Sequence, residues 1–449
     1  MGSPGRLYRA ITFVLPVLSV IVAALVFLGP GALAPAAAAR VRGAPAEGAR
    51  TLSLRIEAVR AYHDVIDALE ARELLVEATA PGQSLAPFRG DAGPDGIADA
   101  VLTAPAPLRG PVALTISAKG PRGRRVLAYG TLPLRRAAPA FVQLGTLAGH
   151  TRGDLAIRVD AVRGIFASPF PEKVRIWVSL IPDAPLGGRA DLVLSGAGLR
   201  ITPERVTTDE QGRAEVHVEA LAHNVELAID AKIAGRKARW EGTLPVVPGA
   251  IWIDPASRPG TLTLVSPSPR PRAYLSLWSE EGRVLGASVP LARDGLGFFR
   301  GEVQAAIPPS AITYAVVAGD ALEQGSGTVA WPLRPAEGAV AASPKLALLL
   351  DGGPAALGRE KERAWSARRT GLILIGIAAF AEVLLLLAQS RAAQRRLDAH
   401  FADSAAALPE EDRRRLLGAT RERPVLRVLL LISLTALGFA LIAALSTFR

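Results

Sequence analysis

Three aspartates follow one another at four-residue spacing around glycines in the stretch GDAGPDGIADAVLT, residues 90–103. Asp91, Asp95 and Asp99 would supply carboxylate oxygens, which are the ligands that Ca²⁺ prefers. A calcium loop of the EF-hand type also needs an acid at its third position and a bidentate Glu at its twelfth, and this stretch has neither. Asp and Gly are equally what a tight turn between strands requires. The pattern favours a turn and leaves calcium as the alternative.

Other residue types that carry chemistry are scarce in the chain. Cysteine is absent, which excludes disulfides, thiolate metal sites and cysteine nucleophiles. The five histidines form no ligand-spaced pair of the HExxH type. The sequence also has no Gly-x-Ser-x-Gly elbow and no Walker loop. We therefore predict a protein that is not an enzyme and that needs no cofactor.

Glu382 lies inside an apolar stretch, residues 370–388, where a carboxylate in lipid costs a few kcal/mol unless it is protonated, paired or facing water. Two interpretations are open. The favoured one is structural: Glu382 reaches water or an arginine such as Arg391 at the interface, or it joins helices by hydrogen bonding to Ser433 or Thr435 of a later apolar stretch. The other is that it conducts a proton or an ion.

Three apolar stretches, residues 10–28, 370–388 and 425–448, have the length of about 20 residues that a membrane-spanning helix needs. The first lies in the segment 1–40, which is a cleaved signal peptide or an N-terminal membrane anchor. The other two form a predicted hairpin, residues 370–448. Small residues recur in its second half and suit close helix packing on a neighbouring helix or on a partner: Ala436, Gly438, Ala440 and Ala444.

The segment between the two hairpin stretches, residues 390–424, is rich in arginine, so the positive-inside rule places it in the cytoplasm. Residues from about 30 to 369 are then exported. The formal net charge of +11 does not indicate nucleic-acid binding, because the arginines are scattered and no aromatic residues alternate with them. The partners predicted from composition are therefore the lipid bilayer and other proteins.

Internal repeats organise the exported part. The heptapeptide LRIEAVR, residues 54–60, recurs as IRVDAVR at residues 157–163. The ending Gly-Thr-Leu-Pro is shared by residues 130–133 and 242–245, and a looser third copy closes with GTVAWPL. We predict repeat 1 at 50–136, repeat 2 at 151–247 and repeat 3 at 250–334, followed by a linker and pre-membrane segment at 335–369.

The sequence pattern of each repeat predicts an antiparallel β-sandwich. Polar and apolar residues alternate over short runs such as AEVHVEA, residues 214–220, and Gly and Pro turns separate these runs. The exception is YHDVIDALEARELL, residues 62–75, which is rich in helix formers and predicts a local helix in a sandwich loop. The predicted fold class is mainly β, with three tandem immunoglobulin-like sandwiches and transmembrane helices.

The segment TTDEQGRAEVHVEA, residues 207–220, resembles the turn and strand of bacterial immunoglobulin-like and macroglobulin-type sandwich domains. The macroglobulins' thioester motif needs a cysteine and cannot be present here. The resemblance implies only the fold of the domains, and the apolar stretches with the arginine-rich loop predict a bacterial inner-membrane protein whose domains are periplasmic. Its expected role is to bind or scaffold another envelope protein. The alternative is an accessory subunit of a membrane transport or energy-coupled complex that uses Glu382.

Overall fold

The computed structural model describes residues 36–62, 65–120, 123–135, 142–143, 146–181, 184–258, 260–279, 282–305, 314–333, 339–340, 345–404 and 409–412. The chain divides into two compact units, Ala37–Ala356 and a second unit made of Met1–Ala36 with Leu357–Arg449. All the sandwiches belong to the first unit. The predicted mainly-β architecture of antiparallel sandwiches is confirmed by the strand pairing.

Sandwich 1 is built mainly from the first strands of the chain. They are β1 Ala36–Gly43, β2 Thr51–Tyr62, β3 Val65–Ala68, β4 Ala71–Ala80, β5 Gln83–Ser84, β6 Phe88–Ala92, β7 Ile97–Thr103, β8 Val112–Gly120 and β9 Gly123–Leu132. A late strand, β31 Ala347–Asp351, completes one sheet in the order β3-β2-β1-β31, with β7 beside β2. The facing sheet has the order β5-β4-β8-β9, with β6 beside β4. The sandwich therefore includes β1 and β31, which lie outside the predicted range 50–136.

The segment expected to form a local helix, residues 62–75, contains strands instead in the residues that the structure describes, which leave out 63 and 64. Tyr62 pairs with Val65 in the β2–β3 hairpin, and β4 pairs with both β6 and β8. Leu74 and Val76 of β4 are fully buried in the core. Strand pairing and core burial therefore override the helix propensity of the segment, which is a weak local preference.

Sandwich 2 follows as β11 Gly149–Gly153, β12 Leu155–Ala161, β13 Phe166–Ala167, β14 Pro171–Leu180, β15 Asp191–Ser195, β16 Leu199–Thr202, β17 Arg205–Thr207, β18 Arg213–Ala220, β19 Glu226–Ile233, β20 Arg236–Thr243 and β21 Val246–Val247. Its five-stranded sheet has the order β11-β20-β19-β15-β17 and its four-stranded sheet the order β12-β14-β18-β16. The alternating burial of β18 matches the alternation of its sequence, because one face meets the core and the other meets water.

Sandwich 3 contains β22 Trp252–Ile253, β23 Thr261–Ser266, β24 Arg272–Ser279, β25 Gly282–Pro290, β26 Ala292–Arg293, β27 Phe299–Gln304, β28 Tyr314–Ala318 and β29 Val329–Pro332. Its two sheets have the orders β22-β23-β27-β26 and β25-β24-β28-β29. Strand β24 is buried along most of its length, since the sheet that contains it is covered on both faces.

The connections between sandwiches also pair with one another. Strand β10, Val142–Gln143, follows sandwich 1 and pairs antiparallel with β30, Ala339–Val340, which follows sandwich 3. The chain then returns to sandwich 1 as β31, whose Asp351 lies opposite Arg40 of β1. The first and last strands of the first unit are therefore neighbours in one sheet.

Helix α1, Gly353–Ser404, begins directly after β31. The carboxylate of Asp351 accepts a hydrogen bond of 2.8 Å from the backbone N–H of Gly353, as an N-terminal capping residue does. The predicted span 370–388 lies within α1, whereas 10–28 and 425–448 lie outside the described residues. In the part of the chain that the structure describes, no helix is both long enough and apolar enough to cross a bilayer.

Candidate functional site

The three sequence-flagged aspartates take different partners. The carboxylate of Asp91, in β6, accepts a hydrogen bond of 2.7 Å from the backbone N–H of Glu73. Asp95, in the turn before β7, accepts one from the N–H of Ile97 at 3.2 Å and one from the hydroxyl of Tyr274 at 2.7 Å. Tyr274 belongs to sandwich 3. The stretch therefore forms both a turn of sandwich 1 and part of its contact with sandwich 3.

Asp99 lies in β7 at the centre of that contact. Its two oxygens accept hydrogen bonds from Arg55 Nε at 3.0 Å and Arg55 Nη2 at 3.2 Å, which is the bidentate arrangement that suits a guanidinium. Its Oδ1 also accepts a hydrogen bond of 2.5 Å from Nη2 of Arg283, in β25. The side chain of Asp99 is 4% exposed and those of both arginines are 0% exposed. The carboxylate of Asp99 is thus the counter-ion of two buried arginines, Arg55 of sandwich 1 and Arg283 of sandwich 3.

Arg55 has all five of its N–H donors occupied, which a guanidinium needs when it is removed from water. Besides its two bonds to Asp99, it donates through Nη1 to Glu323 Oε1 at 2.7 Å and to the Ala321 carbonyl at 3.0 Å. Its Nη2 also donates to the Leu275 carbonyl at 3.2 Å. Three of these five acceptors belong to sandwich 3.

Glu323 brings a second carboxylate into this contact from a loop of sandwich 3. Its side chain is fully buried, and besides Arg55 it accepts a hydrogen bond from the hydroxyl of Ser276. The backbone of Glu323 has a φ of +55°, a left-handed conformation that is uncommon outside glycine. Asp320 stabilises the loop, because its carboxylate accepts hydrogen bonds from the N–H groups of Leu322, Gln324 and Gly325.

Arg283 completes the network that we call the 1–3 junction: Arg55, Asp99, Arg283, Glu323, Ser53 and Ser276. Arg283 donates to the hydroxyls of Ser276 at 2.9 Å and Ser53 at 3.0 Å. Gly286 makes room for it, since a Cβ at that position would lie 1.9 Å from Arg283 Nη2 and 2.2 Å from Asp99 Oδ1. The junction therefore depends on close approach of β25 to sandwich 1.

Burial and charge act in opposite directions on these groups. Burial alone raises the pKa of Asp99, but the positive charges of Arg55 and Arg283 and their hydrogen bonds outweigh it and hold the pKa below its ordinary value. Burial lowers the pKa of Arg283. For Arg55, burial acts in the same direction, yet Asp99 and Glu323 raise the pKa above its ordinary value. Asp99 is therefore held in its ionised form.

A second contact, the 2–3 junction, joins sandwich 2 to sandwich 3. Glu172 of β14 accepts hydrogen bonds from Arg163 Nε and Trp252 Nε1, each at 2.9 Å. Arg163 also donates to the carbonyl of Ile253 at 2.7 Å and lies 4.5 Å from the ring centroid of Trp331. Trp252, Ile253 and Trp331 belong to sandwich 3, so a pair of charges from sandwich 2 is enclosed by its neighbour.

Aromatic stacking accompanies the charges at the 2–3 junction. The rings of Phe170 and Trp252 stack with centroids 5.0 Å apart, and Phe170 and Ala167 of sandwich 2 belong to the hydrophobic core of sandwich 3. Burial raises the pKa of Glu172 despite the opposing charge of Arg163. Sandwich 3 is therefore joined to both of the other sandwiches through buried polar and apolar contacts.

The sequence singled out Asp99 but not its partners. Arg55 and Arg163 both lie in the repeated heptapeptide, at its second position in the first copy and its seventh in the second. The residue that matches Arg55 in the second copy, Arg158, lies instead on an exposed face over the ring of Trp177. The repeat therefore predicted a shared strand but not which arginine is enclosed by a neighbouring sandwich.

The structure does not describe the side chains of the remaining candidate site residues. Glu382 lies in α1, and its side chain is outside the described part of the structure. The small-residue face of Ala436, Gly438, Ala440 and Ala444 lies outside the described residues as well. Within the described residues, no group of three or more His, Cys, Asp or Glu side chains is arranged to hold a metal ion.

No protein-family model and no curated protein matches the chain. Solved structures that match include the D0-D1 domain of intimin, at 11% identity, with 46% of this chain and 99% of that chain covered and a TM-score of 0.16. Invasin, a bacterial integrin-binding protein, matches at 12% identity over 63% of this chain and 55% of its own, with a TM-score of 0.17. Adhesin InvE of Yersinia pseudotuberculosis matches at 12% identity over 55% of this chain and 73% of its own, also with a TM-score of 0.17. Similarity at this level assigns no function to the chain.

Proposed function

We propose that this chain is a non-enzymatic protein of the bacterial cell envelope whose sandwiches bind or scaffold another envelope protein. The observation that carries the proposal is the 1–3 junction. Its acids and arginines pair with one another across the contact between sandwich 1 and sandwich 3. They therefore hold these two sandwiches in a fixed arrangement and are not free for catalysis. Fixed sandwiches present their outer strands and loops as one surface of constant shape. This suits a scaffold, because less conformational entropy is lost when a partner binds.

The proposal places residues from about 30 to 369 in the periplasm and the loop 390–424 in the cytoplasm, with the protein attached to the inner membrane. Its support is the sequence of the apolar segments 10–28, 370–388 and 425–448. Exposed apolar side chains along α1 add support, because lipid or another helix would cover them: Ile373, Ile377, Phe380, Leu384 and Leu387. The N-terminal segment 1–40 is either a signal peptide or an anchor in this proposal.

Purification from native membranes tests the scaffold role. The full chain, expressed at its native level, is solubilised in mild detergent and the proteins that accompany it are quantified. We expect one envelope protein in constant ratio to the chain, and less of it with Asp99→Asn, which disturbs the 1–3 junction. The matched control Asp91→Asn, at the exposed acid of the same stretch, should retain the partner in full. Recovery of the chain alone would contradict the proposal.

The second candidate function is an accessory subunit of a membrane transport or energy-coupled complex. It is favoured by one feature, the carboxylate of Glu382 within an apolar segment, six residues before its end at residue 388. Glu382→Gln and Glu382→Ala distinguish the two functions. If the chain conducts or couples charge, both variants assemble with the partner and fail in transport. If Glu382 only pairs helices, Gln behaves as the wild-type residue does, since it keeps the hydrogen-bonding groups.

A further inference from the structure

The outer face of the five-stranded sheet in sandwich 2 carries like charges directly opposite one another. Lys232 of β19 is the cross-strand partner of Lys237 of β20, and Arg152 of β11 is the partner of Arg239 of β20. Opposed like charges on neighbouring strands destabilise a sheet. Each pair is flanked by one acid, because Asp191 of β15 is the other cross-strand partner of Lys232 and Asp230 of β19 is the other partner of Arg239.

Only part of this positive charge is compensated. Arg239 donates to Glu241 at 2.7 Å and to Asp230 at 3.2 Å. Lys232 and Lys237 are exposed, and in the part of the chain that the structure describes neither forms an ion pair, although Asp191 is the register partner of Lys232. Arg152 is also exposed, and it contributes only a minor part of the lowering of the Glu241 pKa, which is due mainly to the hydrogen bond and charge of Arg239. Two ammonium groups and one guanidinium are thus available to a ligand.

These cations line a groove of about 550 Å³. Gly153 forms part of its wall with a φ of +121°, and a Cβ there would lie 2.2 Å from the carbonyl oxygen of Lys237. A side chain at this position would therefore disrupt the pairing of β11 with β20. The lining also includes Asp191 and the partly exposed apolar side chain of Val193. The groove is positive overall, with two negative groups, Asp191 and Asp230, and an apolar contact along it.

We propose that this groove, which we call the sandwich 2 groove, binds an acidic segment of the partner protein. Carboxylates of that segment would face Lys232, Lys237 and Arg152. Asp191 and Asp230 would repel a ligand that is negative along its whole length, so a polypeptide with spaced acidic residues fits better than a uniformly sulfated or phosphorylated polymer. Val193 offers an apolar contact that a peptide side chain can use. This inference rests on the proposed function and names the surface through which it acts.

The test uses the full chain in detergent micelles and a fluorescent peptide in which glutamates alternate with serine and leucine. We expect binding that weakens as ionic strength rises, because the charges involved are exposed. The variant Lys232→Gln, Lys237→Gln should bind the peptide roughly tenfold more weakly, as expected for the loss of two exposed charge pairs. The variant Lys173→Gln, Arg175→Gln removes the same number of charges from the opposite sheet of the same sandwich, so it is the matched control and should bind normally. Because the chain is strongly basic, the contrast between these variants is the readout.

A sulfated polysaccharide, heparin, serves as the competing probe. If heparin binds as tightly as the peptide and the two lysine substitutions weaken both equally, the groove attracts any polyanion and the inference is wrong. It is also wrong if the double variant binds the peptide as the wild type does. Purification from native membranes separates this failure from that of the scaffold role: a partner that remains with the double variant leaves the scaffold role intact and excludes only this groove.

Discussion

At the scale of single residues, Asp99 is expected to contribute strongly to stability. It neutralises two guanidiniums that are fully removed from water, so its loss leaves positive charge buried without a counter-ion. Removing one partner of a buried ion pair costs about 3–5 kcal/mol. We expect Asp99→Asn to lower the free energy of unfolding by that amount, measured by urea titration of tryptophan fluorescence in the full chain.

Asp91→Asn is the control for this prediction. It changes the same residue type in the same way, eight positions along the chain, and Asn keeps an acceptor for the N–H of Glu73. Exposed substitutions of this kind usually change stability by less than about 0.5 kcal/mol. Equal losses in the two variants would show that Asp99 does not stabilise the fold through its buried charge partners.

The pKa of Asp99 also predicts how stability depends on pH. Because the pKa is lower in the folded than in the unfolded chain, the stabilisation is complete above the ordinary value of 3.8 and is lost as pH falls through the folded value. The difference in free energy of unfolding between wild type and Asp99→Asn should be constant near neutral pH and shrink below pH 3.8. Taking the difference between the two proteins cancels the contributions of the other carboxylates to the pH dependence, because both proteins have them. A difference that stays constant down to about pH 2 would contradict the assignment.

Asp99 can be identified from the sequence because acids and glycines cluster around it. The groups that bind Asp99 cannot. Arg283 is 184 positions from Asp99, and Glu323 is 268 positions from Arg55. No local pattern marks either residue, since burial of their strand and loop comes from the neighbouring sandwich. Partners of this kind are determined by how whole sandwiches pack.

At the scale of structural elements, the loop that carries Glu323 acts through its shape. Asp320 holds three backbone N–H groups of the loop, and Glu323 extends from it to Arg55. If the loop serves to place Glu323, Asp320→Ala and Glu323→Gln will not be additive. We expect a coupling free energy of about 0.5–3 kcal/mol in a double-mutant cycle of unfolding.

Asp209→Ala provides the matched cycle. Asp209 accepts two backbone hydrogen bonds in a turn of sandwich 2, so it has a similar local role. It is not part of the 1–3 junction, and with Glu323→Gln its effect should be additive within about 0.5 kcal/mol. Coupling of equal size in both cycles would mean that the Asp320 loop has no specific relation to the 1–3 junction.

The strands show where periodicity is informative. Strand β18 was predicted because its apolar residues alternate and a turn precedes it. Strands β3 and β4 were not predicted, because their residues favour helices and only pairing with neighbours makes them extended. Strand β31 falls in the range expected to be a linker, residues 335–369. It is short, and its assignment depends on the distant strand β1 that it pairs with.

At the scale of the whole first unit, the order of the repeats in sequence differs from their contacts. Sandwich 3 is the one joined to each of the others by a buried junction, whereas sandwiches 1 and 2 are consecutive in the chain. The repeats predicted the units but not this arrangement, because internal similarity carries no information on which outer faces meet. Buried charges at both junctions favour a single arrangement, since any other would leave them unpaired.

The return of the chain to sandwich 1 gives a prediction for the unit as a whole. Arg40 and Asp351 are register partners and form an ion pair of 3.1 Å, although they are 311 positions apart. The native chain has no cysteine, so Arg40→Cys, Asp351→Cys introduces the only two thiols. We expect them to form a disulfide under mild oxidation, visible as faster migration on a non-reducing gel.

A pair that is out of register controls for chance collision. Arg40→Cys with Ala347→Cys uses a residue of β31 whose partner is Gly43, so its thiols are several residues apart along the strands and should not react under the same conditions. The in-register disulfide closes a very long loop and should raise the free energy of unfolding by up to roughly 5 kcal/mol relative to the reduced protein. Slow or equal reaction of the two pairs would mean that β31 does not close sandwich 1. The first and last strands of the unit would then not be neighbours in one sheet.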